Sequence, residues 1–145
     1  MIYRTDHVGS LVRPAKLLDA RDEYKAGRMS LEDLRVVEDE AILEVFALQK
    51  EVGIQVFTDG EFRRQSYTTD QYEVIEGFAA EYPKLEGTKP NGTKVFVQRH
   101  TKPVVGKLRK LSRLTEHESS FLLKHAPGTF KVTMPTPVRN PNEQP

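Results

Sequence analysis

The segment from residue 30 to residue 58 constrains the fold of this chain more than any other feature. Ser30 and Asp33 have the spacing of a capping box, and acidic residues in the first turn face the positive end of the helix dipole. Apolar residues then recur at steps of three and four on one face, and Gly53 ends the pattern. That face comprises Leu31, Leu34, Ala41, Ile42, Val45, Phe46, Leu48 and Val52. The pattern predicts a long helix between Ser30 and Gly53.

Short runs typical of strands flank this helix. Residues 54–58 form a β-branched and aromatic run, and residues 3–11 read as an earlier strand that ends in a tight turn at Gly9 and Ser10. Pro14 and Gly27 bound a shorter helix with Leu17, Leu18, Arg21 and Tyr24 at helical spacing. A strand, a helix long enough to cross a sheet, and a second strand predict a parallel βαβ unit, and hence an α/β fold.

The second half of the chain is less regular. Glycines and prolines interrupt residues 70–113, where residues 94–97 and 103–106 are predicted to pair as a hairpin. A second capping box at residues 115–118 predicts a helix to about His125, and residues 130–134 read as a buried strand. The polar residues 139–145 are predicted to be a disordered tail.

Composition narrows the functional classes. The sequence has no cysteine, which removes disulfides, thiolate nucleophiles and zinc sites built on sulfur. A net charge of +1 and the lack of long apolar runs predict a cytoplasmic protein that binds neither nucleic acid nor membrane. The charge is uneven, however. A stretch without acidic residues, called the basic run below, comprises Lys94, Arg99, Lys102, Lys107, Arg109, Lys110 and Arg113. It is typical of a solvated face, and it also suits an anionic ligand.

The carboxylates of Asp59 and Glu61 flank Gly60 directly after a predicted parallel strand, where α/β barrels build their active sites. Arg63 and Arg64 follow at once. Such a group can bind a zwitterion, because a carboxylate takes an ammonium and a guanidinium takes a carboxylate. The same residues can equally form a structural cluster of ion pairs that closes a loop. The pattern leaves both interpretations open.

The turn at residues 8–10 is predicted at the corresponding end of the first strand, where its N–H groups and the Ser10 hydroxyl can face the same pocket. The residues alone favour the alternative interpretation, an ordinary turn without a binding role. His7 beside Asp6 is a candidate general base or metal ligand, although a structural role is the more common one for a lone histidine. His100, His117 and His125 have no metal-like spacing and are predicted to lie on the surface.

Three motifs in order carry a resemblance to a known family: residues 6–14 (DHVGSLVRP), residues 59–64 (DGEFRR) and residues 131–137 (KVTMPTP), with the long helix between the first two. Together they resemble the opening of the catalytic domain of cobalamin-independent methionine synthases, in particular the compact single-barrel bacterial branch. The resemblance covers the chain to about Pro137.

The resemblance implies roughly the first three βα units of a (β/α)8 TIM barrel over residues 1–138, with an insertion at about 70–113. It implies methyl transfer from a methyl-tetrahydrofolate polyglutamate to the thiol of homocysteine, in methionine biosynthesis. The basic run would suit the acidic folate tail. The positions that would hold the amino-acid end of homocysteine are Val8, Gly9, Ser10 and Glu61, with His7, Asp59 and Arg63 as neighbours of unassigned role.

The zinc of this family, held by His, Cys, Glu and Cys later in the barrel, turns the substrate thiol into a thiolate. Because this chain has no cysteine and a whole barrel needs about 250 residues, we expect a truncated, inactive methyltransferase without catalytic residues or a metal site, which binds neither zinc nor the folate fully. Two alternatives are a non-catalytic protein that still binds a small thiol amino acid, and an assembly that self-associates through the exposed edge of the third strand.

Overall fold

A computed structural model describes residues 7–64, 72, 74–98 and 102–134, and the chain is a mixed α/β protein of two compact units. Unit 1 comprises residues 1–65 and 115–145, and unit 2 comprises residues 66–114. The predicted tail at residues 139–145 lies outside the described residues. No helix in the described part of the chain is long and apolar enough to cross a membrane.

Two helices open unit 1, as the sequence predicts. Helix α1 spans Ala15–Lys25, where the Pro14 carbonyl accepts the first intrahelical hydrogen bonds, and Gly27 follows it at a positive φ of 71°. Helix α2 spans Leu31–Glu51, and the Ser30 hydroxyl accepts from the Asp33 N–H at 3.0 Å. The predicted N-cap of the long helix is therefore confirmed.

The buried face of α2 differs from the predicted apolar stripe at its two ends. Leu31, Leu48 and Val52 are 49–63% exposed, whereas Glu38 and Gln49 are buried. The reason is local: both polar side chains bind the segment that follows the helix, so that the face carrying them turns inward. The remaining apolar residues join a core that comprises Leu17, Ala20, Leu34, Ala41, Ile42, Val45, Phe46, Phe57, Phe62 and Leu122.

The strands predicted at residues 54–58 and 130–134 shrink to a single parallel bridge. The Phe57 N–H donates to the Thr129 carbonyl at 2.8 Å, and the Lys131 N–H donates to the Phe57 carbonyl at 2.9 Å. On the opposite edge, the side chain of Gln49 binds both the N–H and the carbonyl of Thr58, so these groups do not pair with another strand. Residues 7–11 also form no regular strand, and the start of that predicted strand lies outside the described residues.

Helix α3 spans Glu116–His125 in unit 1, as predicted, but its capping box is absent. The Thr115 hydroxyl makes no capping hydrogen bond, and Glu118 turns to Arg64 instead. His117 and His125 are half-buried, which corrects their predicted surface positions. His125 stacks on the ring of Phe121 at 4.4 Å. His100 lies outside the described residues.

The described residues of unit 2 form two antiparallel sheets of two strands each. Strand β1 (Ile75–Phe78) pairs with β4 (Val104–Lys110), and β2 (Lys84–Thr88) pairs with β3 (Lys94–Gln98). The predicted hairpin of residues 94–97 with 103–106 is thus wrong in its partners. The turn at residues 89–93 decides the pairing, because it closes β2 onto β3 with Gly92 at a φ of 81°.

Candidate functional site

Thr58 fixes the start of the segment from Asp59 to Arg64, called the acidic loop below. Its hydroxyl donates to the Gly9 carbonyl at 3.0 Å and accepts from the Gly60 N–H at 3.1 Å. His7 Nε2 lies 3.2 Å from the same oxygen. Because the single hydroxyl proton goes to Gly9, His7 Nε2 must donate to Thr58. This one side chain therefore joins the acidic loop to residues 7–9.

Glu61 occupies the left-handed backbone region with a φ of 58°, which is strained for a residue with a Cβ. Two contacts hold this conformation. Asp59 Oδ1 accepts from the Glu61 N–H at 3.0 Å, and Arg13 Nη2 donates to the carbonyls of Glu61 and Arg64 at 2.9 and 3.0 Å. The fold therefore maintains a strained residue here.

The two carboxylate oxygens of Glu61 have different surroundings. Oε1 accepts from the Thr133 hydroxyl at 2.5 Å and lies 3.7 Å from Arg64 Nη1. Oε2 receives no hydrogen bond from any described residue. Glu61 is 8% exposed, and a Cβ built on Gly9 would lie 3.2 Å from its Oε1. Gly9 and Glu61 therefore meet at one point, with one acceptor oxygen still available.

Arg64 supplies the buried positive charge behind Glu61. Its Nε and Nη2 donate to the two oxygens of Glu118 at 2.6 and 2.5 Å. Nη1 donates to the Thr133 hydroxyl at 3.1 Å, and Nη2 also donates to the Thr133 carbonyl at 2.8 Å. The two side chains of this bidentate pair are 2% and 0% exposed. The guanidinium is thus committed to the protein itself.

Arg63 belongs to a second ion-pair group, on α2. Its guanidinium pairs with Asp39, lies 3.7 Å from Glu38, and stacks 4.8 Å above the ring of Phe121. Arg35 also pairs with Glu38, at 2.5 Å. Of the two interpretations that the sequence left open for the arginines, these contacts favour structural ion pairs.

Burial shifts the pKa values of two titratable groups near Arg64. Burial, followed by the negative charge of Glu118, raises the pKa of Asp59 to about 6. Burial, followed by the positive charges of Arg35, Arg63 and Arg64, lowers the pKa of His117 to about 4. Asp59 Oδ2 is buried without a hydrogen-bond partner among the described residues, which accords with the raised pKa of this carboxyl group.

The structure therefore brings together His7, Gly9, Asp59 and Glu61 of the predicted site residues. Val8 and Ser10 are exposed, Val8 at 84%. Sequence reasoning missed Thr133 and Gln49, the two side chains that hold Glu61 and Thr58. Thr133 could have been found from its place near the end of the third predicted strand; nothing in the local pattern marks Gln49.

Replacing Gly9 by alanine is expected to lower the free energy of unfolding by about 1–3 kcal/mol. The new Cβ would lie 2.4 Å from Thr133 Cγ2, and a β-branched side chain cannot withdraw without rotating χ1 and breaking its bond to Glu61. Urea denaturation measures the loss. The matched control is Gly128→Ala, whose Cβ would meet Phe57 at an ordinary 3.5 Å. Equal losses in both variants would contradict this account.

The basic run lies in unit 2. Lys94 forms an ion pair with Glu86, and the Lys102 ammonium lies 5.0 Å from the centre of the Tyr82 ring. Strand β4 is exposed along its whole length. Arg99 lies outside the described residues. These contacts fit the solvated face that the sequence favoured, and an anionic ligand remains a proposal.

No family model matches the chain. The uncharacterized protein YxjH of Bacillus subtilis strain 168 is 38% identical over 136 residues, which are 93% of this chain and 35% of that protein. The chain therefore spans about a third of the length of this curated relative. A protein named methionine synthase from Saccharolobus solfataricus is 39% identical over 74 residues, covering 51% of this chain and 22% of the relative.

Among solved structures, a crystal structure from Listeria monocytogenes that is provisionally assigned as a vitamin-B12-independent methionine synthase is 39% identical. It covers 52% of this chain and 23% of that chain, with a TM-score of 0.47. The sequence matches relate about half of the chain to proteins named methionine synthase.

Proposed function

We propose that unit 1 is the first part of a methionine-synthase-like (β/α)8 barrel and that it binds the amino-acid end of a small thiol amino acid such as homocysteine. One observation carries the proposal: the Glu61 carboxylate lies beside Gly9 with Oε1 bound to Thr133, and no described residue donates a hydrogen bond to Oε2. The parallel bridge between Phe57 and Phe130 supports the barrel. The matches to proteins named methionine synthase support the class of ligand.

The ligand ammonium would donate to Glu61 Oε2, forming a charge-assisted hydrogen bond to the carboxylate of a residue that is largely buried. The ligand carboxylate would lie against the exposed turn at Val8 and Ser10, whose hydroxyl and N–H groups are donors. Arg63 and Arg64 take no part, because Asp39 and Glu118 already hold them. The carboxylate end is therefore bound more weakly than the ammonium end.

The described residues do not fit the family's zinc. No group of three or more histidine, aspartate or glutamate side chains among them could share a metal ion, and the whole sequence has no cysteine. We propose that these residues bind and orient an amino acid, while methyl transfer from a folate requires groups that they do not supply.

Calorimetric titration of the chain with L-methionine and L-homocysteine tests this proposal. We expect binding with a dissociation constant on the order of 1 mM. Glu61→Gln should weaken it at least about tenfold, because the amide cannot pair with the ammonium charge. The matched control is Glu40→Gln, the same change at an exposed carboxylate of α2 that pairs only with Lys16.

N-acetylmethionine, which lacks the ammonium, should bind at least about tenfold more weakly than methionine. Undiminished binding of this analogue, or equal affinities of the wild type and Glu61→Gln, would overturn the proposal. Far-ultraviolet circular dichroism of each variant establishes that the fold is retained, since the glutamine carbonyl can still accept from Thr133.

A further inference from the structure

We propose that Thr133 is a positioning residue, which fixes the Glu61 carboxylate for an ammonium ligand. This inference rests on the proposed function and adds to it the residue that controls Glu61. The Thr133 hydroxyl lies between two charged groups, 3.1 Å from Arg64 Nη1 and 2.5 Å from Glu61 Oε1. No other described side chain donates a hydrogen bond to Glu61.

Chemistry fixes the direction of both hydrogen bonds. A guanidinium has only donors, so that Thr133 must accept from Arg64. Its single proton is then left for Glu61, which as a carboxylate can only accept. The hydroxyl therefore cannot reverse its orientation while Arg64 stays in place.

Arg64 cannot readily move, because Glu118 holds it with two hydrogen bonds and the Thr133 carbonyl accepts a further one. The order Glu118, Arg64, Thr133, Glu61 is a linear chain of polar contacts anchored on α3. Its effect on Glu61 is specific: Oε1 is occupied and oriented, and Oε2 is the oxygen that remains for a ligand. Thr133 thus selects which oxygen of Glu61 a ligand meets.

Two substitutions distinguish the effect of the Thr133 hydroxyl from the effect of the side chain's shape. Thr133→Val keeps both branches at Cβ and removes the hydroxyl, while Thr133→Ser keeps the hydroxyl and removes Cγ2. We expect Thr133→Val to weaken methionine binding by about tenfold, the usual effect of losing a hydrogen bond to a charged group. Thr133→Ser should stay within about twofold of the wild type.

A purely structural role is distinguished by a second ligand. The 2-hydroxy acid that corresponds to methionine has the same chain and carboxylate but no ammonium. If Thr133 acts through Glu61, Thr133→Val weakens binding of methionine and leaves the weak binding of the hydroxy acid unchanged. Equal weakening of both ligands would mean that the substitution disturbs the whole site, and it would overturn the positioning role.

The double variant Thr133→Val with Glu61→Gln completes the test. Its affinity for methionine should match that of Glu61→Gln alone, since Thr133 has no route to the ligand except through Glu61. If the wild type binds methionine and Thr133→Val binds it equally well, Thr133 is not a positioning residue and the proposed function stands. If the wild type binds no amino acid, the proposed function fails and this inference fails with it.

Discussion

Replacing Arg64 by methionine is expected to lower the free energy of unfolding of the chain by about 3–5 kcal/mol, the usual cost of removing one partner from a buried ion pair. The substitution leaves the carboxylate of Glu118, which is 0% exposed, without its counter-ion. It also removes both hydrogen bonds that Thr133 receives. Urea denaturation, with the midpoint and slope fitted separately, measures the effect.

The matched control is Arg28→Met. Arg28 also makes a bidentate pair, with Glu23 at 2.6 and 2.7 Å, but both side chains are largely exposed. Solvent screens such a pair, so that we expect little change in stability. Similar losses in the two variants would show that the Arg64 pair is not the buried anchor described above.

The double variant Arg64→Met with Glu118→Met should lose less stability than Arg64→Met alone. Removing the second partner abolishes the stranded charge, and two apolar side chains can pack in its place. If the double variant is the less stable of the two, then the cost comes from the lost bonds to Thr133 and not from the unpaired Glu118.

The helices were predictable because their signals are local. Ser30 and Asp33 cap α2 through contacts three residues apart, and Gly27 ends the turn after α1 through its own positive φ. The pairing of strands was not predictable in the same way. The segment at residues 94–97 is predicted as a strand, but its partner depends on the turn at residues 89–93, whose proline and glycine indicate only interruptions in the sequence pattern.

The same distinction applies to the candidate site. The structure places Gly9 beside Thr58 and Glu61, as the sequence predicts, but not through the expected pair of parallel strands, because residues 7–11 form no regular strand. The arginines remained ambiguous because their partners, Asp39 and Glu118, lie 24 and 54 residues away. Long-range pairing of this kind has no periodic signal in the sequence. The pairing of Glu118 with Arg64 also explains why Glu118 does not form the capping box that its spacing predicted.

Asp59 and His117 are expected to act in opposite directions on stability between about pH 4 and pH 6. The pKa of Asp59 is raised to about 6 from an unfolded value of about 3.9. The folded state therefore holds the extra proton, and stability falls as the pH rises through this range. The pKa of His117 is lowered to about 4 from about 6.5. There the unfolded state holds the extra proton, and stability rises with pH.

A change of this size in either pKa corresponds to roughly 3 kcal/mol of folding stability at most. The contribution of His117 is the smaller of the two because its side chain is only half-buried. The stability of the wild type should therefore change only weakly with pH through the combined titration of Asp59 and His117. Asp59→Asn removes the decrease of stability with rising pH, because asparagine does not titrate. Its side-chain carbonyl can still accept the hydrogen bond from the Glu61 N–H. Its stability relative to the wild type should rise by about 2–3 kcal/mol between pH 4 and pH 6.5.

His117→Gln should show the reverse, with stability relative to the wild type falling over the same range. Urea denaturation at half-unit steps from pH 4 to pH 7.5 measures both variants, and differences from the wild type cancel the titration of all other carboxylates. The charges that face these groups, Glu118, Arg63 and Arg64, are present in every variant. If Asp59→Asn runs parallel to the wild type at every pH, then Asp59 ionises normally in the folded chain, and the buried oxygen Oδ2 must have a partner that stabilises its charge.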